Sequence, residues 1–193
     1  MRKIYFIRHS IRNQAIIDDA TAPLTTTGHQ SAKKLAGKFE NVSVAAIYAS
    51  PFLRAVQTVE PLAHLLHLPI ITIPELRERQ TQQRSDWLTH LQLLWHDFSQ
   101  HDEDEESLAA VRERIVPAYQ QILHDSTGDL VIASHGTALA VLFNDLTNGQ
   151  FTFTDWQEMT MPDCYMATYE DNQLVTFQHI GMNCLTTTTK QDW

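Results

Sequence analysis

Lys3-Ile-Tyr-Phe-Ile-Arg-His-Ser10 is the stretch on which the fold turns. Ile4 to Ile7 form a short, nearly continuous apolar run, as in a strand buried on both faces of a parallel sheet. Arg8 and His9 end that run with a cation and an imidazole. Open α/β sheets bind ligands beyond the carboxyl ends of their strands. Every later strand end is therefore a place to look for partners of Arg8 and His9.

Outward from this strand, residues 11–24 read as a loop. Thr25 is a candidate N-cap for a helix whose Ala32, Leu35, Ala36 and Phe39 share one face. Val44–Tyr48 is a second strand. Ser50-Pro51 follows at once and suits a helix start, with Leu53, Val56, Leu62 and Leu66 inward and a kink or a break expected at Pro61. Ile70–Ile73 is a third strand. Trp87, Leu91, Leu94, Trp95 and Phe98 fall at helical spacing and read as core or cap packing, with a substrate platform as the alternative. The acidic run Asp102–Glu106 reads as a solvated loop or helix start. Val111, Ile115, Ala118, Tyr119 and Ile122 mark a helix, with a kink expected at Pro117. Asp129–Ala133 is a fourth strand, and Thr137–Leu146 a helix. Cys164–Tyr169 and Leu174–Phe177 read as a hairpin turning at Asp171-Asn172. Alternating strands and helices predict a three-layer α/β fold, a mostly parallel central sheet with helices on both faces.

Composition narrows the classes. The 193 residues carry a net charge of −9 and no basic run, which argues against nucleic-acid or anionic-membrane partners. The length fits one domain over 1–193. No apolar stretch approaches the length of a membrane span, and the short run after Met1 does not read as a signal peptide. Cys164 and Cys184 are too few for a disulfide framework and read as reduced, inert thiols, so the expected location is the cytoplasm.

The four predicted strands end in Arg8-His9, in Ser50-Pro51 with Arg54 one turn on, near Glu75–Glu78, and in Ser134-His135-Gly136. This set suits a phosphate ester. Arginine forks neutralise phosphoryl oxygens, a neutral imidazole attacks phosphorus, and a carboxylic acid protonates the leaving oxygen. Helix N-termini after the second and fourth strands add partial positive charge.

These residues resemble the histidine phosphatase superfamily in its phosphoglycerate-mutase-like branch. Ile4-Tyr-Phe-Ile-Arg-His-Ser10 is similar to the strand-Arg-His-Gly opening. Leu24-Thr-Thr-Thr-Gly-His-Gln-Ser-Ala32 is similar to its Leu-Thr-x-x-Gly-x-x-Gln-Ala segment, one residue shorter between Gly and Gln. Ser50-Pro-Phe-Leu-Arg-Ala-Val-Gln-Thr58 matches Ser-Pro-x-x-Arg-Ala-x-Gln-Thr at every fixed position. Leu76-Arg-Glu78 and Ser134-His135-Gly136 complete the order. The resemblance implies that His9 is the nucleophile and carries the phosphoryl group. It implies that Arg8, Arg54 and His135 hold phosphate oxygens, that Glu78 donates the proton, and that neither metal nor cofactor is needed. The substrate would be a small phosphomonoester or a phosphorylated protein.

Departures from the pattern matter. Ser10 replaces glycine, a strained choice only if that position needs a left-handed backbone. Arg12 resembles the Arg-His-Gly-x-Arg form of the acid-phosphatase branch, where that arginine also touches phosphate. The glycine and tryptophan that follow Leu-x-Glu are absent, so Glu75 is the fallback donor, and residues 79–106 are the expected cap or specificity segment. A phosphoglycerate mutase and a non-catalytic phosphate-binding module are the alternatives. His64 and His67, three apart on a helix, lack a third metal ligand, and His90, His96 and His101 read as surface residues.

Overall fold

The computed structural model describes residues 1–182; Cys184 and the polar stretch from Thr186 lie outside the described residues. Six strands form one sheet in the order β3-β2-β4-β1-β5-β6. These are β1 (Arg2–Arg8), β2 (Ala46–Ala49), β3 (Ile70–Thr72), β4 (Leu130–Ser134), β5 (Asp163–Glu170) and β6 (Gln173–His179). β1 runs parallel to β4, and β2 parallel to both β3 and β4. β5 joins antiparallel to β1, and β6 antiparallel to β5. The centre is parallel and one side is an antiparallel hairpin, as its sequence suggests. Asp171 and Asn172 both take positive φ, 48° and 62°, the backbone a tight two-residue hairpin turn demands.

The apolar runs feed two cores. Successive strand residues point to opposite faces. Ile4, Phe6, Leu130 and Ile132 pack into one cluster with helices α3 (Trp87–His96), α4 (Leu108–Asp125), α5 (Gly136–Leu146) and α6 (Phe153–Glu158). Tyr5, Ile7, Val131 and Ala133 pack into the other, beneath α1 (Thr26–Gly37) and α2 (Leu53–Leu66). No helix among the described residues is long and apolar enough to cross a membrane.

Several boundaries differ from expectation. α2 begins at Leu53 with Phe52 as its N-cap, not at Ser50-Pro51. Ser50 is instead held to the sheet by its N–H on the Ala133 carbonyl, 2.8 Å. Neither Pro61 nor Pro117 breaks its helix. Buried neighbours on both sides, Thr58, Val59, Leu62 and Ala63 in α2, pin the chain across the lost N–H. Thr25 caps α1 as expected, its hydroxyl accepting from Gly28 N at 3.0 Å.

Candidate functional site

The parallel register brings the strand ends to one level. Arg8 pairs with Ser134, and Ala49 with Ala133. His9, Ser50 and His135 therefore emerge side by side, and His9 N donates to the Ser134 carbonyl at 2.9 Å. Above them lies a cleft of about 1150 Å³. Arg8, His9, Arg12, Arg54 and Glu78 all line it, and Glu75 does not. His135 is fully buried directly behind, its ring edge-to-face on His9 with centroids 5.2 Å apart.

His9 is itself almost buried. Its Nδ1 lies 2.7 Å from the Ser10 carbonyl, which can only accept. Nδ1 must then carry the proton, and Nε2 keeps its lone pair. Burial first, then the Arg54, Arg8 and Arg12 cations, push its pKa down to about 3. The imidazole is neutral throughout the physiological range. Burial and the His9 and Arg54 neighbours likewise hold His135 well below an ordinary histidine. His135 Nε2 lies 2.7 Å from Ser50 Oγ, and its Nδ1 has no partner among the described residues.

The Ser50–Thr58 motif now has a task for each fixed side chain. Arg54 reaches into the cleft. Gln57 Oε1 accepts from Leu24 N at 2.8 Å and fastens the 11–24 loop. Thr58 Oγ1 accepts from Ser10 N at 2.9 Å and so fixes the residue after His9. Ser10 does not take a positive φ. Its hydroxyl donates to the Gly28 carbonyl at 2.9 Å, so serine adds a tie between β1 and α1 rather than strain.

Gly28 and Gly136 are there for space. A Cβ at Gly28 would sit 2.3 Å from the Ile11 carbonyl oxygen. A Cβ at Gly136 would meet the Arg8 guanidinium at 3.0 Å. Arg8 lies flat against the start of α5 and donates to the Met159 carbonyl at 2.7 Å, while its buried Nε has no partner.

Glu78 is held by α5. Its Oε2 accepts from Thr137 N at 3.1 Å and its Oε1 from Ala138 N at 3.0 Å. Arg114 of α4 supports the same turn, donating to the carbonyls of Arg77 at 2.9 Å and Glu78 at 3.3 Å. Ser134 Oγ donates to the Leu76 carbonyl at 2.6 Å.

Asp19 had no signal in the sequence. It sits mid-loop, yet its Oδ1 accepts from Arg12 Nη1 at 2.7 Å and its Oδ2 from Arg54 Nη2 at 3.0 Å. Its carbonyl also accepts from Arg54 Nη1. One half-exposed carboxylate thus bridges two of the three arginines beside His9.

The cap departs furthest from expectation. The 102–106 run is solvated only in its first half: Asp102, Glu103 and Asp104 are exposed, but Glu105 is buried and Glu106 nearly so. Glu105 meets Arg79 at 3.1 Å and His90 at 3.0 Å. Glu106 meets Arg77 at 2.8 Å and Arg114 at 2.7 Å. Burial raises both carboxyl pKa values, but the surrounding donors outweigh it and leave each at about 2. His90 is buried rather than a surface residue, and Trp87 is exposed on the cleft rather than in the core. His90, Asp102 and Glu105 bring ligand atoms within 4.8 Å of one another. Arg79 and Arg84 already occupy those carboxylates, so the cluster reads as an ion-pair network. Cys164 is buried, and burial, with Asp163, pushes its thiol up to about 12.

A neutral imidazole and converging arginines at parallel strand ends, with a second imidazole buried behind, make a site of an α/β protein whose chemistry suits an anion. The chain belongs to the histidine phosphatase superfamily (branch 1), whose family model matches residues 4–179. It is 33% identical over 78 residues to the phosphohistidine phosphatase SixA of Escherichia coli (strain K12). That match covers 38% of this chain and 48% of the relative, so the chain spans about half the length of that curated relative. Among solved structures, Bacillus stearothermophilus YhfR superposes with a TM-score of 0.74 at 22% identity, over 96% of this chain and 98% of that one. The mycobacterial glucosyl-3-phosphoglycerate phosphatase superposes with a TM-score of 0.73 at 16% identity, over 93% and 97%. These two likenesses establish the fold.

Proposed function

We propose that this protein is a metal-independent phosphatase that hydrolyses phosphomonoesters through a phosphohistidine on His9. The carrying observation is the state of His9: neutral, Nδ1 committed to the Ser10 carbonyl, Nε2 free, on the floor of an arginine-lined cleft. In the first step Nε2 attacks phosphorus and the phosphorus–oxygen ester bond breaks. Glu78 gives its proton to the departing oxygen. In the second step water attacks the phosphohistidine, Glu78 takes the water's proton, the phosphorus–nitrogen bond breaks, and inorganic phosphate leaves.

Arg8, Arg12 and Arg54, which line the cleft, hold the equatorial oxygens as charge spreads over them in the transition state, and His135, expected from the motif to share that task, supports His9 from behind. Arg8 and Arg54 each keep a buried, unpartnered Nε, and neither Arg8 nor His135 has a carboxylate bonded to it. Glu78 is preferred to Glu75 as donor because Glu78 lines the cleft and Glu75 does not. In this reading 1–193 is one domain, residues 79–106 are its specificity segment, and a small phosphomonoester or a phosphorylated protein is the substrate. A reducing cytoplasmic setting goes with two cysteines outside any disulfide framework.

The test is p-nitrophenyl phosphate hydrolysis in EDTA from mildly acidic to neutral pH, for wild type and His9→Ala. Turnover by wild type that vanishes in the variant is expected. Interconversion of 2- and 3-phosphoglycerate would replace the phosphatase with a mutase. Phosphate binding without turnover of any ester would replace it with a binding module.

A further inference from the structure

The cleft is far larger than a phosphoryl group requires. Its 1150 Å³ exceeds the roughly 300–1000 Å³ of common small-ligand sites, so most of it faces the leaving group. Its two ends differ in charge. At the floor, Arg8 has no carboxylate bonded to it. On the cap wall every arginine has an acidic partner: Arg77 on Glu106, Arg79 on Glu105, and Arg84 on Asp86 and Asp102. An anionic leaving group would find no cation without an acidic partner on that wall among the described residues.

Among the mostly polar residues that line the rest of the cleft, two large apolar side chains stand more than half exposed. Trp87 at the start of α3 is 54% exposed and Ile17 of the 11–24 loop 81% exposed, and both line the cleft. Packing does not require Trp87, since α3 already buries Leu91 and Leu94. Yet its ring is braced. It meets Trp156 edge-on at 6.1 Å, and Trp156 stacks on Phe153 at 5.4 Å and 18°. A braced, exposed indole offers a flat face at little cost in side-chain freedom.

Resting on the phosphatase reading, we infer that the substrate's leaving group is a flat, uncharged, aromatic body, seated on Trp87 and flanked by Ile17. Trp87 is then the residue that sets specificity, and phosphoesters of anionic aliphatic alcohols are poor substrates.

Aromatic alcohols are intrinsically better leaving groups, so the comparison is read in KM and in phosphonate affinity, not in kcat. Wild type, Trp87→Ala and Trp87→Phe are assayed with 2-naphthyl phosphate, glycerol 2-phosphate and 3-phosphoglycerate. In parallel, phenylphosphonate and methylphosphonate are titrated calorimetrically. Trp87→Ala should raise KM for the naphthyl ester on the order of tenfold, with kcat kept and the glycerol ester unaffected. Trp87→Phe should recover most of that loss. Phenylphosphonate should bind wild type more tightly than methylphosphonate, and Trp87→Ala should erase the difference. A lower KM for 3-phosphoglycerate than for the naphthyl ester would overturn the inference, as would equal binding of the two phosphonates. If no ester turns over, the phosphatase reading falls, and the phosphonate titration judges the pocket by itself.

Discussion

The floor of the cleft and its cap are both rich in arginine, and they use it in opposite ways. In the cap, Arg77, Arg79 and Arg84 each meet a carboxylate within 3.1 Å. The arginine-acid network ties residues 77–84 to residues 102–106, and the charge is consumed in holding the segment together. On the floor, Arg8 bonds a carbonyl, and Arg12 and Arg54 share a single half-exposed Asp19. An arginine with its charge neutralised is structure. An arginine that lines the cleft with only a carbonyl bonded to it, as Arg8 does, keeps its charge for something that arrives.

The largest effect should fall on the floor. Arg54→Ala is expected to lower kcat by roughly 10³-fold, the scale of losing one directed cation at a developing negative charge, far more than the stability lost with its buried side chain accounts for. Steady-state kinetics and urea unfolding on one preparation check both halves. A variant that unfolds but keeps its kcat would erase the contrast between the regions.

Next comes the cap. Glu105→Ala strands Arg79 and His90 without their shared carboxylate. It should cost about 3 kcal/mol, as breaking a buried pair does, and should raise hydrogen exchange through residues 79–106. The chemical step on a small ester should change little. Exchange mass spectrometry and denaturant melts read this.

Acid should separate the regions again. His9 titrates near 3 when folded and near an ordinary 6.5 when unfolded, so the unfolded chain binds more protons between those values. Stability is full above about pH 6.5 and falls as the pH drops toward 3. By pH 5 the loss is about 2 kcal/mol for this one histidine. His135 acts in the same direction. The cap carboxylates, at about 2, keep their ion pairs over the same range. His9→Gln should flatten the stability curve between pH 7 and 5, measured by urea unfolding at each pH.

The smallest expected effect sharpens the contrast at its weakest point. Asp19 is the only carboxylate bonded to a floor arginine among the described residues. A bound phosphoryl group competes with it for Arg12 and Arg54. Asp19→Asn should therefore tighten inorganic phosphate inhibition about fivefold, a surface-scale electrostatic effect. Weaker inhibition would instead mark Asp19 as the residue that aims the two arginines.

Much of this was legible in the chain. Local apolar runs gave away β1 and β4, and Asp171-Asn172 the hairpin, because each depends on a few neighbouring residues. The strand-end reading brought Arg8, His9, Arg54 and Glu78 to one cleft, with His135 behind it, and the family resemblance added Arg12. It missed where long-range packing overrides local rules. Buried neighbours carry α2 through Pro61 without a break. His90 and Glu105 are polar by type, yet each supplies the other's buried partner across 15 positions. The helical stripe of α3 placed Trp87 inside, but the stripe's first turn overhangs the cleft.

The sequence by itself determined the chemistry of the floor, because strand periodicity dictates which residues stand at a carboxyl end, and those ends converge in any parallel sheet. Only the tertiary structure decided which charges are spent. Pairing of Arg79 with Glu105, or of Arg54 with Asp19, depends on segments 26 and 35 residues apart meeting at hydrogen-bond distance. No local pattern encodes that approach. It follows from how the helices and loops settle on the two cores.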